Sequence, residues 1–263
     1  MAAVGTRSFH SSPAFLVRAA DMGEADRRVT FFTRDAGVVV TVGKSAWRSR
    51  RRFGGTLQRY VLLDITWTER PGRMAVLSSA ALSESFWGVV EEWERVRNAD
   101  HFLEMAAELF PQAGPKPRAF DILRSGIRSL AQGCPPGEAA RKVEAAFLAL
   151  GGWGPRLDGC RKCGRADQAR FRFLPPEGGI LCEACPPAGG ATLSLGAIKT
   201  WRALQAGKGT PGDRLRIPAG IIEELQSVMC GYVEYCLGKP LRSLGSSRLP
   251  AERKNPHFSN DLS

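Results

Sequence analysis

Residues 61–77 read VLLDITWTERPGRMAVL. Val61, Leu63, Ile65 and Trp67 alternate with Leu62, Asp64 and Thr66, the period of a strand that buries one face. Arg70-Pro71-Gly72-Arg73 predicts a type II turn, because proline presets φ and glycine accepts the positive φ that follows. Met74 to Leu77 then returns as a second strand. Toward the N-terminus, Phe15-Leu16-Val17, Val29 to Thr33 and Val38 to Val42 are further apolar runs, the last two separated by a turn at Asp35-Ala36-Gly37. Five short strands within ~70 residues predict a small barrel or sandwich, with an OB-fold as one natural candidate.

Beyond residue 82 the texture becomes helical. Phe86, Val89, Val90, Trp93, Val96, Leu103, Ala106 and Phe110 recur at helical spacing and predict two helices with a break near Asn98–Asp100. Phe120, Leu123, Ile127 and Leu130 predict another, ending at Gly133, and residues 138–150 one more, stopped by Gly151-Gly152. Leu195, Ile198, Trp201 and Leu204 mark a fifth helix. Ile221, Leu225, Val228, Tyr232 and Cys236 mark the last, closed by Gly238 and Pro240. These aromatic stripes read as core rather than as ligand platforms. The expectation is therefore an α+β multidomain chain. Residues 1–82 form the OB-fold, 83–155 and 191–243 the two parts of a helical domain, 156–190 an inserted cysteine segment and 244–263 a polar, disordered tail.

The chain has 263 residues, of which 43% are hydrophobic and 24% charged, enough apolar material for a core without disulfide staples. No apolar run reaches the ~18 residues of a membrane span. The first residues, MAAVGTRSFHSSPAFLV, lack the apolar core of a secretory signal. A cytoplasmic setting follows as the expectation, and there clustered cysteines bind metal more often than they pair. The net charge is +11, and residues 1–82 hold 13 Lys/Arg against 6 Asp/Glu. Such a surface favours polyanions, although net charge alone also fits a merely soluble basic protein.

Four cysteines follow the pattern Cys160-x2-Cys163-x18-Cys182-x2-Cys185. Two CxxC knuckles at this separation supply four thiolates to one tetrahedral zinc, and Gly164 and Gly178-Gly179 suit the turns such a site needs. A redox CxxC comes singly and beside a βαβ unit, which this segment lacks. Four thiolates leave no open position for a substrate water, so the zinc is read as structural, one per chain. Cys134, Cys230 and Cys236 read as small buried hydrophobes.

A second constellation is Lys44, Arg48, Arg50, Arg51, Arg52 and Arg59, with no acid between Lys44 and Leu63 and with Trp47 and Phe53 inside the run. Cations neutralise phosphates and aromatic faces stack on bases, as a single-strand binding surface requires. The plainer reading is a solvated charged loop. Its place between the third and fourth strands favours nucleic-acid contact.

Catalysis has little support. His10, His101 and His257 are widely separated. The zinc-deaminase pattern fails because Leu103 lies two positions after His101 and Gly159 precedes Cys160. Gly43-Lys44-Ser45 resembles the end of a phosphate-binding loop, but Val38 stands where that motif needs its first glycine.

In order and spacing these segments resemble the bacterial recombination mediator RecO family, over residues 15–243. The resemblance rests on residues 24–37 (EADRRVTFFTRDAG), on GKSA at 43–46 followed by SRRRFGG at 49–55, on the cysteine segment and on Gly238-Lys239-Pro240-Leu241-Arg242-Ser243. It implies an N-terminal OB-fold, a helical domain and a zinc-binding insertion. It implies single- and double-stranded DNA, RecR and the acidic C-terminal tail of single-stranded DNA-binding protein (SSB) as partners, with strand annealing and RecA loading as the activity. Lys239 and Arg242 become further candidates for DNA contact, with helix C-terminal cations as the plainer reading. A non-enzymatic monomer is the expectation. The alternatives are a zinc-containing OB-fold protein that binds RNA or the ribosome, and a metal-dependent nuclease.

Overall fold

The computed structural model describes residues 7–23, 26–44, 56–185, 189–207 and 216–244. The chain divides into two compact units, Met1–Gly133 and Cys134–Ser263. The helical stretch read as one run from 83 to 155 is thus shared between them.

The first unit begins with β1 (Ser8–Met22), β2 (Asp26–Thr33), β3 (Gly37–Gly43), β4 (Val61–Arg70) and β5 (Arg73–Ser85). They close into a barrel in the order β1-β2-β3-β5-β4. All five sequence-predicted strands are present, and the order is that of an OB-fold. The length of β1 achieves the closure. Its first half pairs with β4, Ser8 opposite Glu69 to Phe15 opposite Leu62, and its second half pairs with β2, Ala14 opposite Thr33 to Met22 opposite Asp26. A register shift between Leu16 and Arg18 marks where the strand passes from one partner to the next. The β3–β5 pair is parallel, with Thr41 opposite Ala75.

The alternation at 61–67 sorts side chains as expected. Val61, Leu63, Ile65 and Trp67 join Ala14, Leu16, Val29 and Phe31 in the barrel interior. The opposite face is also covered. Phe15 and Phe32, fully buried, meet the Phe120 ring at centroid distances of 5.3 and 6.4 Å, and Phe15 lies 6.0 Å from Phe86. Phe120 belongs to helix α2 (Pro117–Ala131), which follows α1 (Trp93–Leu109). These two helices therefore complete the core around the barrel.

Helix α1 corrects the predicted break. It runs unbroken through Asn98 and Asp100, where the Asn98 side chain donates to the Glu94 carbonyl one turn back at 2.8 Å. The helix also starts later than the stripe implied. Trp87–Val89 form a 3-10 turn, which resets the helical phase, so Phe86 and Val89 are buried while Val90 and Trp93 face solvent.

The second unit contains α3 (Pro136–Leu150), β6 (Arg170–Leu174), β7 (Gly179–Leu181), β8 (Ala191–Ser194), α4 (Leu195–Gln205) and α5 (Ala219–Leu237). The three strands form a sheet in the order β7-β6-β8 that the sequence reading did not anticipate. Phe173 of β6 anchors it, with its ring 5.1 Å from both Trp201 of α4 and Tyr232 of α5. The Ser194 hydroxyl caps α4 by accepting from the Ala197 N–H at 3.1 Å. Gly238, at φ +68°, ends α5 as expected of a C-terminal glycine. The polar tail expected at 244–263 lies outside the described residues, save Leu244. No helix among the described residues is long and apolar enough to cross a membrane.

Candidate metal centre and nucleic-acid interface

The two cysteine knuckles are joined by backbone. The Cys160 N–H donates to the Arg165 carbonyl at 2.8 Å and the Gly164 N–H donates back to the Cys160 carbonyl at 2.9 Å, closing the first knuckle. Gly164 turns out of it at φ +76°. The Arg161 N–H reaches the Ile180 carbonyl of β7 at 2.8 Å, and Cys182 follows the end of that strand. A β-carbon on Gly179 would lie 2.4 Å from the Arg156 carbonyl, so only glycine lets this strand approach so closely. The second knuckle closes by a bond from the Cys185 N–H to the Cys182 carbonyl at 3.1 Å.

The result brings the four sulfurs within 4.8 Å of one another, with the Cys163 and Cys182 sulfurs 3.5 Å apart. A tetrahedron of thiolates at about 2.3 Å from a metal has edges of roughly 3.8 Å, so the cluster could hold one metal ion. Its electrostatics agree. Burial by itself would raise the Cys160 thiol, but backbone N–H groups of Cys182, Cys163 and Lys162 outweigh it and bring the pKa down to about 6. Hydrogen bonding to the Cys163 sulfur, with burial next, pushes the Cys185 thiol up to about 12. The Cys160 thiolate forms readily and the Cys185 thiol keeps its proton. A divalent cation would relieve that crowding and draw out the remaining protons. All four sequence-predicted ligands meet here. Cys230 and Cys236 are buried elsewhere as expected, and Cys134 is half-buried.

The basic constellation sits on the connection between β3 and β4. Lys44 is exposed just past the end of β3. Trp47, Arg48, Arg50, Arg51, Arg52 and Phe53 lie outside the described residues. Arg59 stands just before β4 and is held from several sides. Its guanidinium lies 2.9 Å from the Asp100 carboxylate of α1, donates to the Val17 carbonyl at 3.2 Å and lies 5.7 Å from the Tyr60 ring centre. The Tyr60 hydroxyl also donates to Asp100. Burial, then that hydrogen bond, pushes the Tyr60 phenol well above its ordinary range. Tyr60 has φ +60°, a conformation that side chains seldom adopt, and its carbonyl accepts from the Phe86 N–H at 3.2 Å. Asp100 was not a sequence-predicted site residue, and no pattern links it to Arg59. Lys239 and Arg242 are exposed beyond α5, in the second unit.

Fold and site together define an OB-barrel protein with a helical second unit and a four-cysteine cluster that could hold a metal ion. The family described as "Recombination protein O N terminal" matches residues 8–86, and "Recombination protein O C terminal" matches residues 90–245. The DNA repair protein RecO of Anaeromyxobacter sp. (strain Fw109-5) is 34% identical over 232 residues, covering 86% of this chain and 90% of its own length. The proteins of the same name from Thermobifida fusca (strain YX) and Myxococcus xanthus (strain DK1622) are 30% and 27% identical, over 90% and 89% of this chain and 97% and 95% of theirs. The chain belongs to the RecO family of DNA repair proteins.

Proposed function

We propose that this chain is a non-enzymatic recombination mediator. It binds single- and double-stranded DNA, anneals complementary strands and, with RecR, helps load RecA onto SSB-coated single-stranded DNA. One observation carries the reading: in a chain of this family, a closed OB barrel bears its densest basic run on the β3–β4 connection. Annealing makes and breaks no covalent bond. It needs phosphate repulsion screened and two strands held at high local concentration, which a cationic surface supplies.

Lys44, Arg48, Arg50, Arg51 and Arg52 neutralise phosphates, Trp47 and Phe53 stack on bases, and Arg59 fixes the C-terminal base of the connection. Lys239 and Arg242 add cationic surface in the second unit. The acidic SSB tail is drawn to a chain of net charge +11. The metal is one structural zinc on Cys160, Cys163, Cys182 and Cys185, and the protein works as a cytoplasmic monomer.

The test is annealing of complementary SSB-coated oligonucleotides, with intact SSB and with SSB lacking its acidic tail. Annealing that depends on the tail is the expected result. Failure to anneal either substrate would overturn the reading, as would cleavage of labelled DNA in magnesium or manganese. A clear preference for RNA over DNA in competition would favour the RNA-binding alternative.

A further inference from the structure

Two tryptophans stand out on the first unit. Trp87 is 71% exposed and Trp93 74% exposed, with Val90 between them at 44%. The segment that carries them is firmly placed. Val89 is fully buried, and a β-carbon on Gly88 would lie 2.2 Å from the Ala131 carbonyl, so the turn is pressed against the end of α2. Arg95 then ties the turn to the first turn of α1. It donates to the Gly88 carbonyl at 3.0 Å, and its guanidinium lies 2.9 Å from Glu92 and 3.5 Å from Glu91. Buried and bonded neighbours thus hold two indoles out into water. A pair of such side chains offers roughly 300–500 Å² of apolar area, the size of a functional patch.

The charge around them says what would cover them. No Lys or Arg occurs from residue 74 to 94 in a chain that carries 37 of them. Glu91, Glu92 and Glu94 are all exposed around the indoles and outnumber the two nearby guanidiniums, Arg95, which is bonded to Glu91 and Glu92, and Arg97, exposed one turn after Trp93. A polynucleotide would meet these carboxylates with its phosphates and be repelled, so the indoles are not a base-stacking platform. A Lys or Arg head is attracted both by the carboxylates and by the indole faces.

We propose that Trp87, Val90 and Trp93, rimmed by Glu91, Glu92 and Glu94, dock a protein segment in which Lys or Arg alternates with apolar side chains. The surface shares no residue with the proposed DNA contacts, and its chemistry does not depend on them. Placed ready-made, it saves the ordering cost that a mobile pair of aromatics would carry on binding.

The test uses the intact protein and three fluorescent probes: an Arg/Leu peptide, a Glu/Leu peptide of equal length and a thymidine oligonucleotide. The Arg/Leu peptide is expected to bind in anisotropy titrations. Its affinity should fall at least tenfold in the Trp87→Ala/Trp93→Ala variant and several-fold in Glu94→Lys, with thermal melting unchanged because all three side chains are exposed. Oligonucleotide affinity should not fall in the double variant. Absent peptide binding, or binding that the double variant retains, overturns the proposal. Oligonucleotide binding lost in the double variant overturns it in favour of base stacking. Conversion of a dimer to a monomer by the double variant in sedimentation overturns it in favour of self-association.

Discussion

The Arg59 guanidinium lies 2.9 Å from the Asp100 carboxylate, although the two residues stand 41 positions apart. Asp100 also accepts from the Tyr60 hydroxyl, so one carboxylate of α1 pins two consecutive residues just ahead of β4. The strand thereby starts from a fixed point despite the positive φ of Tyr60. An arginine already facing a carboxylate has less charge to offer a phosphate than Arg50, Arg51 or Arg52, which occur in a run without acids.

The salt dependence of binding separates these roles. Each phosphate contact on single-stranded DNA contributes ~0.7 to the slope of log affinity against log salt. Reversing Arg50, Arg51 and Arg52 to glutamate is expected to weaken binding to a thymidine oligonucleotide and to flatten the slope by about 2. Arg59→Gln is expected to weaken binding while leaving the slope nearly unchanged. A slope loss of about 0.7 in Arg59→Gln would make that residue a phosphate contact instead.

Glu84 at the end of β5 accepts from Arg124 at 2.7 Å and from Arg128 at 2.8 Å, both on α2. Burial would raise its carboxyl, but the hydrogen bonds and charges of the two guanidiniums prevail and hold it below the usual value of 4.5. A depressed carboxyl contributes stability above its unfolded pKa and loses it as pH falls through the folded one. Glu84→Gln is therefore expected to cost ~1 kcal/mol near neutral pH, since the pair is partly exposed. The gap from wild type should close in melts taken progressively below the ordinary glutamate range.

Much of this architecture was readable because its residues repeat with a local period. The strand at 61–67 needed only its alternation, and the four-cysteine cluster only its paired spacings. Trp93 was misread because one 3-10 turn at Trp87–Val89 changed the phase of an otherwise regular stripe. Nothing within that stripe distinguishes Val89, buried, from Val90, exposed. The strand β6 was missed for another reason. Arg170, Phe171, Arg172 and Phe173 do alternate, but a run this short, set between the cysteine knuckles, does not establish a period by itself. The Arg59–Asp100 contact had no local signal at all, because closure of the barrel and packing of α1 bring its partners together.

Helix α3 contains two ion pairs that are almost wholly buried, Arg141–Glu144 at 2.8 Å and Lys142–Glu138 at 2.9 Å. The Glu138 carboxylate also accepts from the Ile217 N–H at 3.4 Å, and Cys230 of α5 lies 3.6 Å from Arg141 and 3.7 Å from Glu144. Burial, with the Glu144 charge next, pushes the Cys230 thiol up to about 12, so it stays a neutral neighbour. Removing one ion strands the other in a dry interior. Glu144→Ala is expected to cost ~3–5 kcal/mol in urea denaturation, whereas Arg141→Met with Glu144→Leu should cost far less. Equal losses in the two variants would mean that the pair itself, rather than the stranded charge, sets the cost.

The metal site gives the last expectation. Its four sulfurs lie within 4.8 Å of one another, and the segment between the knuckles carries β6 and β7. An ion there would fix the knuckles to each other and, through Phe173 of β6, steady the sheet against Trp201 and Tyr232. One zinc per chain is expected by elemental analysis, with Cys160→Ser losing it and unfolding at lower temperature. Thiolates compete with protons for metal, so zinc should leave as pH falls, and the thermal stability of wild type should drop with it. Cys236→Ser serves as the control, since that thiol is buried away from the cluster. It is expected to alter packing without changing the zinc content. A zinc-free wild type of undiminished stability would remove the metal from the account of this fold.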